Sequence, residues 1–135
     1  MSDEIAHSVR EWLDRAADDW TTVEILTAHE RCPREMVCFH CQQYVEKLLK
    51  AFLTFLGIEA PRTHDLRRLA QLAAPQCPEI LLVADEIDLL TEHAVQLRYP
   101  DDWREVELAE MNKLVALAKG IATILIPRLE RGQPQ

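Results

Sequence analysis

The chain has 135 residues, of which 48% are hydrophobic and 28% are charged, and its formal net charge is −8. This length is typical of one domain, and the apolar content is high enough to exclude wholesale disorder. The negative charge argues against a non-specific nucleic-acid binder, which requires a net basic surface, although it leaves room for one local basic site.

The ends of the sequence and its cysteines indicate where the protein resides. The acidic, amphipathic N-terminus does not resemble a signal peptide, and no apolar run approaches the roughly 18 residues of a membrane span. Without a secretory signal, the four cysteines are expected to be reduced thiols. We therefore expect a cytoplasmic protein. Its length predicts a single domain over residues 1–135, with a core over about residues 5–127 and a frayed tail over residues 128–135.

Apolar residues recur every three or four positions over residues 3–29, which predicts a first helix. Pro33 breaks this pattern and suits the first turn of a second helix, which we expect to end at Gly57. Residues 37–56 form the densest apolar run without Gly or Pro, so we expect the second helix to be central. Its polar side is predicted to be a solvated face with Glu46 and Lys50 as an i,i+4 pair, and the alternatives are a polar seam between helices or a nucleotide-contacting face.

The remaining sequence predicts three further helices. A short third helix is expected over residues 65–74, with Thr63 as its N-cap. A fourth is expected over residues 79–97, and a fifth over residues 103–126, ended by Pro127. Because no alternation typical of strands occurs and the connections are short, we predict an all-α fold, an up-and-down antiparallel bundle of four long helices plus one short helix. The wide apolar stripes predict a homodimer.

Three stretches resemble, in the correct order, the signature of the HEPN family (higher eukaryotes and prokaryotes nucleotide-binding domain). Residues 39–51, FHCQQYVEKLLKA, resemble its "QQ, then EK, then KA" pattern, residues 61–66 its "P-x-T-H-D-L" helix start, and residues 98–100 its "R-Y-P" segment. The resemblance spans about residues 12–126. It implies a helical bundle that commonly dimerises, that binds a nucleotide or has only a structural role, and that often acts beside a minimal nucleotidyltransferase in a pair resembling toxin–antitoxin systems.

The densest groups of basic residues in this acidic chain lie at the start of the third predicted helix and at the end of the fourth, and they could form a phosphate clamp. The candidate ligand-binding residues are Arg98, Tyr99, His64, Arg67, Arg68, Lys47, Lys50 and Gln43, and Arg104 could join them. The expected ligand is a nucleotide or an RNA phosphate. Alternatively, Arg98 caps the end of the fourth helix and the other arginines pair with local acids.

Catalysis is not expected from this sequence. In the ribonucleases that the chain resembles, an Arg is followed four to six residues later by a His, but no His follows Arg98 in residues 99–104. Without it, the general acid–base step lacks the side chain whose pKa suits neutral pH. The chain is therefore predicted to be a non-catalytic module, and the alternatives are a divergent ribonuclease toxin that uses Arg98 with His64 or His93, and a purely structural adaptor.

The residues Cys38-Phe39-His40-Cys41, with Cys32 and His29 nearby, are of types that can bind a metal ion. A structural zinc site needs four convergent ligands, which usually come from two separate pairs. Only one close pair is present, and it lies on the apolar stripe of the second helix, so we expect no metal and no cofactor.

Overall fold

The computed structural model of the protein describes residues 1–94 and 99–131, and within these ranges every regular element is helical. The α-helices are α1 (Asp3–Ala28), α2 (Arg34–Phe55), α3 (Leu66–Ala73), α4 (Ala84–Thr91) and α5 (Leu108–Arg131). Two 3-10 helices, Pro78–Val83 and Pro100–Asp102, precede α4 and α5. The predicted all-α helical bundle is confirmed. No helix in the described part of the chain is long and apolar enough to cross a membrane.

The central position of α2 is also confirmed. It packs against α1, α3, α4 and α5, and its buried residues lie around most of its circumference rather than on one stripe. Phe52, Leu48, Leu49 and Leu53 are its largest fully buried side chains. Gly57 adopts a φ of 77° after the end of the helix, the left-handed conformation that the sequence suggested there.

Helix α1 covers one side of α2 along most of its length. The hydroxyl of Ser2 accepts a hydrogen bond from the Ile5 backbone N–H at 3.1 Å and so caps the helix. Val9, Ala16 and Val23 face the core. Asp19 continues their spacing of three and four residues, which places a carboxylate in the middle of this apolar stripe.

The fourth helix is shorter than predicted. Instead of one helix over residues 79–97, a 3-10 helix runs from Pro78 to Val83, and α4 then ends at Thr91. The Thr91 side chain accepts a hydrogen bond from the Leu66 backbone N–H at 3.2 Å, which ties this helix end to the start of α3. Residues 95–98, the last part of the predicted helix and the Arg98 site, lie outside the described residues.

Three predicted helix boundaries are wrong. The N-cap of α3 is Asp65, whose carboxylate accepts from the Arg67 backbone N–H, and not Thr63. Helix α5 begins at Leu108, because Trp103 is extended and residues 103–107 form no regular element. It also passes through Pro127 to Arg131, since Pro127 removes only one intrahelical hydrogen bond while the last turns bury Leu125 and Leu129.

Candidate functional site

The first polar cluster of the molecule is centred on Glu46 of α2 and is called here the Glu46 network. It contains Gln42, Glu46, Lys50 and His64. Glu46 Oε1 contacts His64 Nδ1 at 2.8 Å and accepts from Gln42 Nε2 at 3.1 Å, and Glu46 Oε2 accepts from Lys50 Nζ at 3.0 Å. Gln42 also donates to the backbone carbonyl of His64 at 3.3 Å. The cluster therefore fastens the segment that leads into α3 onto the central helix.

The charges of the Glu46 network are compensated within it. Burial alone would raise the pKa of Glu46, but hydrogen bonds from His64, Lys50 and Gln42 outweigh this and lower the pKa below its usual range. Lys50 is itself buried, and its ammonium group lies 5.7 Å from the centroid of the Trp12 ring on α1. The network thus joins three parts of the fold while leaving no buried charge without a partner.

A second cluster, called here the Asp19 network, joins α1 to α2. The buried Asp19 carboxylate contacts His40 Nδ1 at 2.8 Å and accepts from Lys47 Nζ at 2.5 Å. The side chains of His40 and Lys47 are 20% and 22% exposed, so the pair closes the edge of the helix interface. Asp19 thus lies about one helical turn before the buried core residue Val23.

These two networks decide among the alternatives for the polar side of α2. The predicted i,i+4 pair of Glu46 and Lys50 is present, but the predicted solvated face is wrong, because Gln42, Glu46 and Lys50 are buried between elements. The polar side is a seam between helices. Gln43 belongs to its rim, since its amide donates to Gln42 Oε1 at 2.7 Å.

The basic residues at the start of α3 do not form one cluster with those of α2. Arg67 is held by Asp88 of α4, with Nη2 at 2.7 Å from Oδ2, and also by Asp85 at 3.1 Å. Arg68 is exposed and makes no ion pair within residues 1–94 and 99–131. The His64 side chain remains 67% exposed although its Nδ1 is engaged. Tyr99 is 80% exposed, and its neighbour Arg98 lies outside the described residues.

Arg104, which by its place in the sequence could join a phosphate clamp, binds a carboxylate of the same chain. Its two Nη atoms lie 2.9 and 2.8 Å from the oxygens of Glu110 at the start of α5, a bidentate geometry. Hydrogen bonds from Arg104 are the main cause that lowers the pKa of Glu110 to about 2. His93 is buried beside the same carboxylate, with Nε2 at 3.4 Å.

A cavity of about 500 Å³ lies between the start of α2 and the segment that precedes α5. Its two arginines are already engaged, because Arg34 donates to the Val106 carbonyl at 3.2 Å and Arg104 is bound to Glu110. Glu35 and Glu105 add negative charge to the same walls. The cavity therefore offers little attraction for a phosphate.

The two thiols of α2, Cys38 and Cys41, are fully buried. Burial raises the pKa of both Cys38 and Cys41 to about 12, and the thiolate form is the one that binds metals and attacks electrophiles. Over the ranges that the structure covers, no three His, Cys, Asp or Glu side chains converge as metal ligands would.

Sequence reasoning missed two residues of the seam, Asp19 and His40. Asp19 could have been predicted as a buried, paired residue, because a carboxylate in register with an apolar stripe requires a hydrogen-bonding or charged partner. His40 was not predicted as a partner of Asp19, because its cross-helix neighbour could not be deduced from the sequence.

The seam residues coincide with the family signature. A family model described as "HEPN domain" matches residues 9–129, which is 121 of the 135 residues. The match contains all of α2, α3 and α4 and most of α1 and α5. No curated protein and no solved structure matches the chain significantly.

Proposed function

Because the chain belongs to the HEPN family, we propose that it is a non-catalytic, dimeric helical module that acts with a minimal nucleotidyltransferase in a pair of the toxin–antitoxin kind. One observation carries the proposal. Both lysines of the signature on α2 are bound to carboxylates of the same chain, Lys47 to Asp19 and Lys50 to Glu46. Lysines that already form ion pairs within the chain are poor candidates for binding an external phosphate. These two ion pairs therefore support a structural role for α2.

The surface supports protein partners better than nucleic acid. The net charge of −8 opposes binding to a polyanion, whereas two neighbouring large apolar side chains are exposed to solvent, Leu81 at 44% and Leu82 at 85%. Exposed apolar groups that cluster on a small domain are typical of association surfaces.

The absence of a His after Arg98 supports a non-catalytic role, and a direct assay tests it. Purified protein should leave single-stranded RNA intact in the presence of a chelator. Cleavage that Arg98→Ala abolishes and Arg68→Ala preserves would replace this proposal by a divergent ribonuclease. Arg68 is the matched control, because it is an exposed arginine that makes no ion pair in the described ranges.

The partnership is tested by co-expression with a minimal nucleotidyltransferase encoded beside this chain. Size-exclusion chromatography with light scattering should show a complex whose mass contains both proteins. Two separate peaks at micromolar concentration would contradict the partnership.

Nucleotide binding at Arg98 and Tyr99 is the second candidate function. It is favoured by the exposure of two aromatic side chains in this segment, Tyr99 at 80% and Trp103 at 67%, because exposed rings can stack on bases. Calorimetric titration with a nucleoside triphosphate would then show salt-sensitive binding that Arg98→Ala weakens by about 1–3 kcal/mol. Equal affinities for wild type and Arg98→Ala would remove this candidate.

A further inference from the structure

A shallow apolar groove runs between the start of α4 and the middle of α5, and no residue of either polar network lines it. Its volume is about 360 Å³. Its lining residues are Val83, Glu86, Lys113, Ala116, Leu117, Gly120, Ile121 and Ile124. The floor is open above Gly120, because a Cβ atom added there would meet no atom within 4 Å.

A large apolar side chain stands beside this groove. Leu82 is 85% exposed, the highest value among the exposed large hydrophobic residues. It lies one turn of 3-10 helix after Glu79, whose carboxylate contacts the Arg128 guanidinium of α5. It also directly precedes Val83 of the groove wall. Leu82 is not among the residues that line the groove, so its side chain does not fill it.

The groove rim carries one charge of each sign. Within residues 1–94 and 99–131, Glu86 and Lys113 line the groove without an ion pair or a side-chain hydrogen bond to another residue. Two copies of a chain with a net charge of −8 repel each other overall, so a self-association surface has to be apolar and locally neutral. This face meets both conditions.

We propose that this face is where two copies of the chain associate, with Leu82 of each copy inserted above Gly120 of the other and Glu86 of each copy paired with Lys113 of the other. A two-fold interface is self-complementary, and it therefore requires a projection together with its own recess, and a cation together with its own anion, on one patch. This face supplies both pairs. The inference rests on the proposed dimer and names the surface that forms it.

The first test measures the dimer dissociation constant by light scattering over a concentration series. Leu82→Asp and Gly120→Gln should each raise it about tenfold or more, as expected when a central interface side chain is lost or its recess is blocked. Both positions are exposed, so each variant should keep the helical circular-dichroism spectrum of wild type. Ile25→Asp is the matched control, because Ile25 is 63% exposed on α1 and lies outside the groove.

A charge exchange provides the second test. Glu86→Lys and Lys113→Glu should each weaken self-association, because each creates two like-charge contacts in the symmetric dimer. An equimolar mixture of the two variants should recover it, since both contacts in the mixed dimer join opposite charges. Contacts within one chain could not produce this recovery.

The outcomes separate the two levels of the proposal. A wild-type monomer at micromolar concentration would overturn the proposed dimer and this face with it. A wild-type dimer that withstands Leu82→Asp, Gly120→Gln and the single charge variants would overturn the face alone and leave the dimer standing.

Discussion

Two regions of the molecule pair carboxylates with cationic side chains, one in the interior and one at the surface. In the Glu46 network, a carboxylate, an ammonium group and an amide meet between α2 and the start of α3, and Glu46 and Lys50 are nearly inaccessible to solvent. On the outer face of α3 and α4, Arg67 makes more ideal bidentate contacts with Asp88, but the aspartate side chain is 49% exposed. Burial, rather than the number of hydrogen bonds, should decide which region determines the stability of the fold.

The largest effect is expected from Glu46→Ala. The substitution leaves Lys50 buried without its carboxylate, and removing one partner of a buried pair typically costs about 3–5 kcal/mol. Urea unfolding followed by circular dichroism would measure the free energy of unfolding. Asp88→Ala is the control, because it also removes a paired carboxylate but from the surface. Equal decreases in the free energy of unfolding for the two variants would show that burial does not determine which region stabilises the fold more.

The Glu46 network also shows which features of the fold could be predicted from the sequence and which could not. The helical periodicity and the gap at Pro33 were sufficient for the all-α fold, for the limits of α1 and for the central position of α2. The residue types of the seam were visible as well, but their burial was not, because it depends on α1 and the segment before α3 covering the polar side of α2. Period alone predicts one buried stripe, whereas a helix surrounded on most sides buries polar residues too.

For the candidate phosphate site, the sequence showed the charged residues but not the partners that they bind. Arg98 was expected to be surrounded by His64, Arg67, Arg68 and Arg104, because the start of the third helix and the end of the fourth could approach each other at one end of the bundle. The fold assigns Arg67 to Asp88 and Arg104 to Glu110, residues 21 and 6 positions away. An acidic chain offers each arginine several carboxylates, and only the packing of α4 and α5 selects among them.

An intermediate effect is expected from acid at Glu110, which lies between the two extremes with a side-chain exposure of 28%. Its pKa is lowered in the fold from 4.5 to about 2, so the folded state binds fewer protons than the unfolded chain between these values. Its stabilising contribution is therefore complete above about pH 4.5 and is lost as the pH falls towards 2. In urea unfolding over this range, Glu110→Gln should lose less stability on acidification than wild type. The control Glu107→Gln, at an exposed position just before α5, should follow wild type; identical slopes for all three proteins would contradict the assignment.

The smallest effect is expected from Arg67→Ala, although this residue makes the densest set of surface contacts in the described part of the chain. Its guanidinium binds Asp88 through Nε and Nη2 and reaches Asp85, and these hydrogen bonds raise the pKa of Arg67 and lower that of Asp88. Asp85 is fully exposed and Asp88 about half exposed, so water and salt screen both attractions. Exposed pairs of this kind contribute about 0–1 kcal/mol, and the loss should shrink further in 1 M salt. The matched control is Arg68→Ala, one residue along the same helix, which removes an equal charge without an ion pair. A loss above about 2 kcal/mol that persists in high salt and is absent from Arg68→Ala would place the α3–α4 contact among the structural elements of the fold, beside the Glu46 network.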